Sequence, residues 1–263
     1  TTYQQVAMDG DKTLTWRETG TTTAGATVAQ SNGVLCPMED APLDPGLTTI
    51  GLFVGPTLGA LSGTHSVEIS LGAADPGKKI VLILESGGDI STGKITAGGV
   101  DYPLGNVRNQ VLAGRGNRRI NFATADVPVG GSGILSITTT GTYTIGVHAY
   151  VMAAKNLTLV SSEAAAGSGG GMTATTPITM AIAATAQGDY LLASVLSAPY
   201  DPAGLFGSPV AVTEIYDQPL RATGPQLWVG TGIETAAASP RNIRVTPSQG
   251  GEFSRVVAQF RNT

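Results

Sequence analysis

Cysteine is almost missing from this chain, with Cys36 alone among 263 residues. A single thiol closes no intrachain disulfide and leaves out the zinc sites built from several cysteines, so stability must come from packing. Charge is scarce as well. Lys, Arg, Asp and Glu make up 13% of the chain, about half the roughly 25% of an ordinary soluble domain. The 15 basic and 19 acidic residues leave a net charge of −4, which gives no electrostatic footprint for nucleic acid or an anionic membrane surface. No apolar run reaches the ~20 residues of a membrane-spanning helix, and no basic stretch followed by an apolar one marks a signal peptide. The expectation is synthesis in a host cytoplasm without membrane insertion. A surface so poor in charge is either covered by other subunits or belongs to an extracellular protein with a Thr-rich exterior.

Residues that favour solvated helices are also few. The 36 Gly, 15 Pro and long runs of Thr, Ser and Ala suit turns and pleated, half-buried surfaces instead, so the chain is expected to be all-β. An internal repeat sharpens this. Val67, Ile69 and Leu71 alternate with small or polar residues, as do Ile178, Met180 and Ile182, the period of a half-buried strand. At the same displacement Gly77 falls on Gly188. The apolar runs Ile80 to Leu84 and Leu191 to Leu196 then follow as core strands. Further on, Val100 to Leu104 resembles Tyr216 to Leu220, and Gly141 to Tyr150 resembles Gly251 to Phe260, setting Tyr143 on Phe253, Val147 on Val257 and Tyr150 on Phe260. Short strands punctuated by Gly, Pro, Asn and Asp mark a sandwich or barrel. The chain is therefore expected to hold two tandem β-sandwich, jelly-roll-like modules, residues 46–154 and 155–263. Ahead of them lies an extended N-terminal arm, residues 1–45, with strand-like Thr13 to Arg17 and a turn at Leu43 to Gly46. The arm either docks on a neighbour or folds back as a tail. The Gly167 to Gly171 run is expected as a hairpin loop inside the second module.

Chemistry is hard to find. Only His65 and His148 are suited to proton transfer near neutrality, and they are expected in a turn and on a sheet face, respectively. No serine has the strand-turn-helix glycine pattern of a hydrolase nucleophile. The Gly167 to Gly171 run lacks the Lys-Ser/Thr ending of a phosphate loop, and Asp9-Gly10-Asp11 lacks the remaining oxygens of a calcium loop. No catalytic residue, metal ligand or cofactor is expected, and the chain is expected to be non-enzymatic. The clearest charge feature is Arg108 with Arg115, Arg118 and Arg119, the last three in a Gly-rich stretch. It reads as a solvated loop, a docking patch for an acidic neighbouring subunit, or a nucleic-acid contact. The last is disfavoured because no aromatics lie nearby to stack on bases. Trp16, Tyr102, Tyr200, Tyr216 and Trp228 are the aromatics on which a sugar could stack if the modules bind glycans.

The Lys79 to Leu84 strand with its Gly77-Lys78 lead, the Ile95 to Val100 strand and turn, and the closing strand Gly141 to Tyr150 resemble virion structural proteins of tailed phages and gene transfer agents. The resemblance spans both repeats and is one of general style. It implies a capsid decoration, head-spike or tail-fibre component located in the virion, homo-oligomeric, with other virion proteins as partners; the alternative is a pair of carbohydrate-binding modules with a host surface glycan as partner. No functional residue carries over from it.

Overall fold

The computed structural model describes residues 2–5, 16–22, 25–30, 46–54, 61–112, 118–143, 147–166, 176–198, 206–220, 225–248 and 251–262. All regular structure among them is β, in antiparallel sheets. The chain divides into two compact units, residues 1–43 and 44–263. In the first, β1 (Thr2–Gln5), β2 (Trp16–Thr22) and β3 (Gly25–Gln30) form a sheet in sequence order. The stretch expected as a single extended arm thus carries three paired strands. Residues 13–15, Asp9 to Asp11, Cys36 and Leu43 to Pro45 lie outside the described residues.

The second unit begins with β4 (Gly46–Val54), β5 (Leu61–Gly72), β6 (Lys78–Ser86), β7 (Asp89–Ala97) and β8 (Val100–Pro103). Next come β9 (Gly105–Val111), β10 (Arg119–Asp126), β11 (Gly131–Tyr143) and β12 (His148–Lys155). The later strands are β13 (Leu157–Ala166), β14 (Ile178–Ile182), β15 (Tyr190–Ala198), β16 (Phe206–Val210), β17 (Thr213–Pro219), β18 (Gln226–Ile233), β19 (Arg241–Pro247) and β20 (Glu252–Asn262). They pair as β4-β12-β6-β10-β9, β5-β11-β7-β8, β13-β20-β15-β18-β17 and β14-β19-β16. The order of the first two sheets recurs in the last two, strand for strand, except that β8 has no counterpart.

Three apolar cores separate these four sheets. Ile80, Leu82, Leu84, Ala149 and Val151 of the first five-stranded sheet meet Ile69, Leu71, Ile95, Leu135 and Ile137 of the four-stranded sheet. Leu191, Ala193, Val195, Trp228 and Val257 meet Ile178, Met180, Ile243 and Val245 in the same way. The third core lies between the two five-stranded sheets. Val81, Ile83, Phe122, Tyr150 and Met152 pack with Leu192, Leu196, Val229, Val256, Ala258 and Phe260. The central strands of both five-stranded sheets therefore have two buried faces. Strands buried on both sides lose the apolar-polar alternation, and this explains why β6, β12 and β15 are nearly continuous apolar runs.

The ladders refine the repeat. Lys78 N to Asp75 O (3.1 Å) and Asp189 N to Ala186 O (3.2 Å) close matching turns, so Lys78 and Asp189 are equivalent. Lys155 lies opposite Lys78, and Phe260 lies opposite Tyr190. Counting along these rungs, the place of Tyr150, opposite Ile83, is held by Val256, opposite Ser194. The expected match of Tyr150 with Phe260 is thus out of step. It kept the same face because the slip is even. Tyr216 also differs from expectation. On β17, the edge strand equivalent to β9, it pairs with Val229 of β18, whereas Val100 to Pro103 form β8 beside β7. The shared Asp, Pro and Leu misled because they mark a strand end without specifying its sheet.

Between β12 and β13 stands one residue, Asn156, at φ 50°, a left-handed position that asparagine tolerates better than most side chains. Its side chain packs on Gly77, where an added Cβ would lie 2.4 Å from the Asn156 Oδ1. Because Phe260 is fully buried in the central core, Phe260→Ala is expected to cost about 3–5 kcal/mol. Amide exchange in urea should show β6 and β15 losing protection together. Loss confined to β15 would show that the central core does not couple the halves.

Candidate functional site

Several buried charged groups in this body sit where strands begin or end and are met there by hydrogen-bond partners. Lys78, 2% exposed, donates through its Nζ to the carbonyls of Leu71 (2.8 Å), Ala73 (2.6 Å) and Val129 (2.7 Å). Burial pushes its ammonium below the usual lysine range, opposed by the nearby Asp75 carboxylate. At the equivalent position, Asp189 is 1% exposed and accepts from Arg261 Nε (2.6 Å) and Nη2 (2.8 Å), Gln259 Nε2 (2.5 Å) and the Ala186 N–H (2.7 Å). The Arg261 guanidinium is the main reason its carboxyl titrates at about 2. Glu234, also buried, accepts from Thr185 Oγ1 (3.0 Å) and Arg241 Nη2 (2.7 Å). In β12 the His148 Nδ1 lies 3.1 Å from Glu85 Oε2, with side chains 4% and 0% exposed. His65 lies in β5, not in the expected turn, and is buried as well.

Two of the recesses among the described residues bear on function. A cleft of about 460 Å³ lies at the seam between the halves, between the Pro76 to Lys79 turn, Asn106, Asp126 and the Asn156 to Leu159 stretch. A groove of about 340 Å³ crosses the outer face of the four-stranded sheet, lined by Thr64, Thr92, Lys94, Asp101, Ser136 and Thr138. Its floor is a cross-strand array of hydroxyls. Thr64 bonds Thr138 (2.9 Å) and Ser66 bonds Ser136 (2.8 Å). Lys94 Nζ (2.6 Å) and Thr96 Oγ1 (2.7 Å) donate to Asp101, and these bonds, Lys94 first, hold the Asp101 carboxyl below its usual range.

The arginines expected to form a docking patch are engaged within the chain. Arg108 Nε donates to Ser162 O (3.0 Å), tying β9 to β13 across the seam. Arg119 Nε pairs with Asp89 (2.6 Å), and Arg118 Nε lies 4.0 Å from the buried Glu85. Arg115 is outside the described residues. The aromatics proposed for sugar stacking are likewise committed. Trp228 is fully buried and donates its indole N–H to Glu214 (3.0 Å). Tyr102 packs on the first core, and Tyr216 packs on the central core with its ring 4.9 Å from that of Tyr150. They face inward because period-two alternation places large rings where the most apolar area is removed from water. The side chain of Trp16 is outside the described residues, as are Tyr200 and the Gly167 to Gly171 run. Among the described residues no group of three or more His, Cys, Asp or Glu gathers to hold a metal, and no helix is long and apolar enough to cross a membrane.

The hydroxyl groove and the paired Lys78 and Asp189 sites went unseen in the sequence. A signal for the second did exist, since each charge follows a turn glycine and stands within two residues of an apolar run.

Asp189 has a folded pKa depressed below its ordinary 3.8, so its contribution to stability is present above about pH 4 and is lost as pH falls towards 2. Because Arg261 is half exposed, solvent screening reduces this contribution to about 1–2 kcal/mol. Asp189→Asn should lower stability at pH 7 by about that amount and flatten the dependence between pH 4 and 2 in urea titrations. An unchanged acid limb would show that the pair contributes nothing. Lys78→Met should cost more, about 3 kcal/mol, by leaving three buried carbonyls without a donor. No protein family, curated protein or solved structure matches this chain.

Proposed function

We propose that the chain is a structural, non-enzymatic component of a tailed-phage-like virion that oligomerises and docks on neighbouring virion subunits. In this reading it is a capsid decoration, head-spike or tail protein. Residues 46–154 and 155–263 are tandem jelly-roll-like modules, and residues 1–45 are a separate docking element. The observation that carries the proposal is the strand order. The pairing β4-β12-β6-β10 against β5-β11-β7-β8 interleaves early and late strands as a jelly roll does, an architecture common in capsid and lectin domains. The same order recurs in the second half. Burial of both five-stranded sheets supports a rigid building block, and the hydroxyl-rich outer sheet supports docking through uncharged surface instead of the arginines. Particles sedimented from producing cells should contain the chain, and particles from a deletion strain should lack its density. A chain recovered wholly in the soluble fraction would overturn the proposal.

Glycan attachment to a host surface is a second reading, favoured by the hydroxyl groove. A patch of Thr and Ser hydroxyls with one Lys–Asp pair can exchange hydrogen bonds with a sugar without aromatic stacking. Binding on a glycan array should be lost in Asp101→Ala and kept in Tyr216→Phe. A blank array for the unaltered protein removes this reading.

A further inference from the structure

The rungs that align the two halves also bring out a substitution between them. Because Val256 holds the place of Tyr150, Arg255 holds that of Ala149, a fully buried member of the first core. Arg255 shares its face of β20 with Phe253 and Val257, two positions away on either side, and with Val195, directly opposite on β15. All three belong to the core of the second half. On its other flank Arg255 pairs with Ala165 of the edge strand β13. A cation therefore stands where the first half places a methyl group.

The other arginines considered above have partners. Arg108, Arg118, Arg119, Arg241 and Arg261 each face a carbonyl or a carboxylate. Among the described residues Arg255 donates no hydrogen bond and joins no ion pair. Burial pushes its guanidinium below the usual arginine range, and no described charge of either sign acts on it. Every other residue from Phe253 to Phe260 is buried, so Arg255 alone in that run reaches water. An ionised group drawn into apolar surroundings without a partner costs free energy. Such a group, open to solvent on one side, has the character of a binding site.

We propose that Arg255 is a binding site for a carboxylate. The guanidinium presents its N–H donors as a planar fork, which a carboxylate meets with two parallel hydrogen bonds. Charge matching narrows the class further. One isolated cation balances one monoanion, whereas a phosphate dianion would leave negative charge uncompensated beside Phe253 and Val257. The site is separate from the hydroxyl groove and goes beyond the virion reading, on which it does not depend.

Titration of the full chain with sodium acetate at constant ionic strength, followed by the arginine Nε–Hε and β20 amide resonances, tests this. One arginine resonance, missing from Arg255→Lys, should shift saturably with roughly millimolar affinity. Arg255→Lys should bind about tenfold more weakly, having lost the fork, and Arg255→Met should not bind. Methionine keeps an apolar stem and removes a charge that has no partner to lose. In acetate-free buffer Arg255→Met should therefore unfold in urea at the same midpoint as the unaltered protein or a higher one. A lower midpoint, or failure of this variant to fold, would make the arginine structural and overturn the proposal. Chloride shifting the resonance as acetate does, or phosphate saturating it at lower concentration, would overturn it equally.

Discussion

Two five-stranded sheets, whose central strands are dry on both faces, set the terms for the packing of residues 44–263. A sheet with one wet face can place polar side chains at every second position. The central strands here have no such positions, so each interior residue must be apolar, be small, or bring its own hydrogen-bond partner. Ser194 donates to Trp228 O, and Asn121 reaches Ser86 Oγ. The core strands therefore carry the apolar content of the chain, and the outer sheets and turns are left with Thr, Ser and Gly.

The same constraint explains where ionised groups went. Lys78 and Asp189 stand at the starts of their strands, where turns leave backbone groups outside the ladders, and the local supply of donors or acceptors decides the sign. At the first equivalent turn three carbonyls converge, and Lys78 answers them. At the second, an amide N–H, a guanidinium and a carboxamide converge, and Asp189 answers those. Opposite charges thus perform one task, terminating an apolar strand without an unsatisfied group. This pair is a structural use of charge.

Much of the fold was legible because burial leaves a mark on residue type. All-β character followed from the scarcity of helix formers, and the matching of β5 to β14 and β6 to β15 followed from alternation and turn glycines. The slip at β20 arose because alternation has period two, so any even shift fits equally well. The mistaken partner for β17 arose because an Asp-Pro-Leu echo describes a strand end without its neighbours. Candidate surface residues leave the weakest mark in a sequence. An aromatic or arginine looks the same in sequence whether it faces solvent or a partner within the chain, and Trp228 and Arg108 turned out to face inward and across the seam, respectively. The hydroxyl groove depends on residues from β5, β7, β8 and β11 meeting on one face, which no local pattern records.

Asn156, the single residue joining β12 to β13, has a kinetic and energetic meaning. Two separate molecules meeting through a surface like the central core would first have to surrender their translational and rotational freedom. A one-residue tether removes most of that loss, because the effective concentration of one half beside the other is set by covalent geometry. Lengthening this joint would weaken the union without touching any side chain in it.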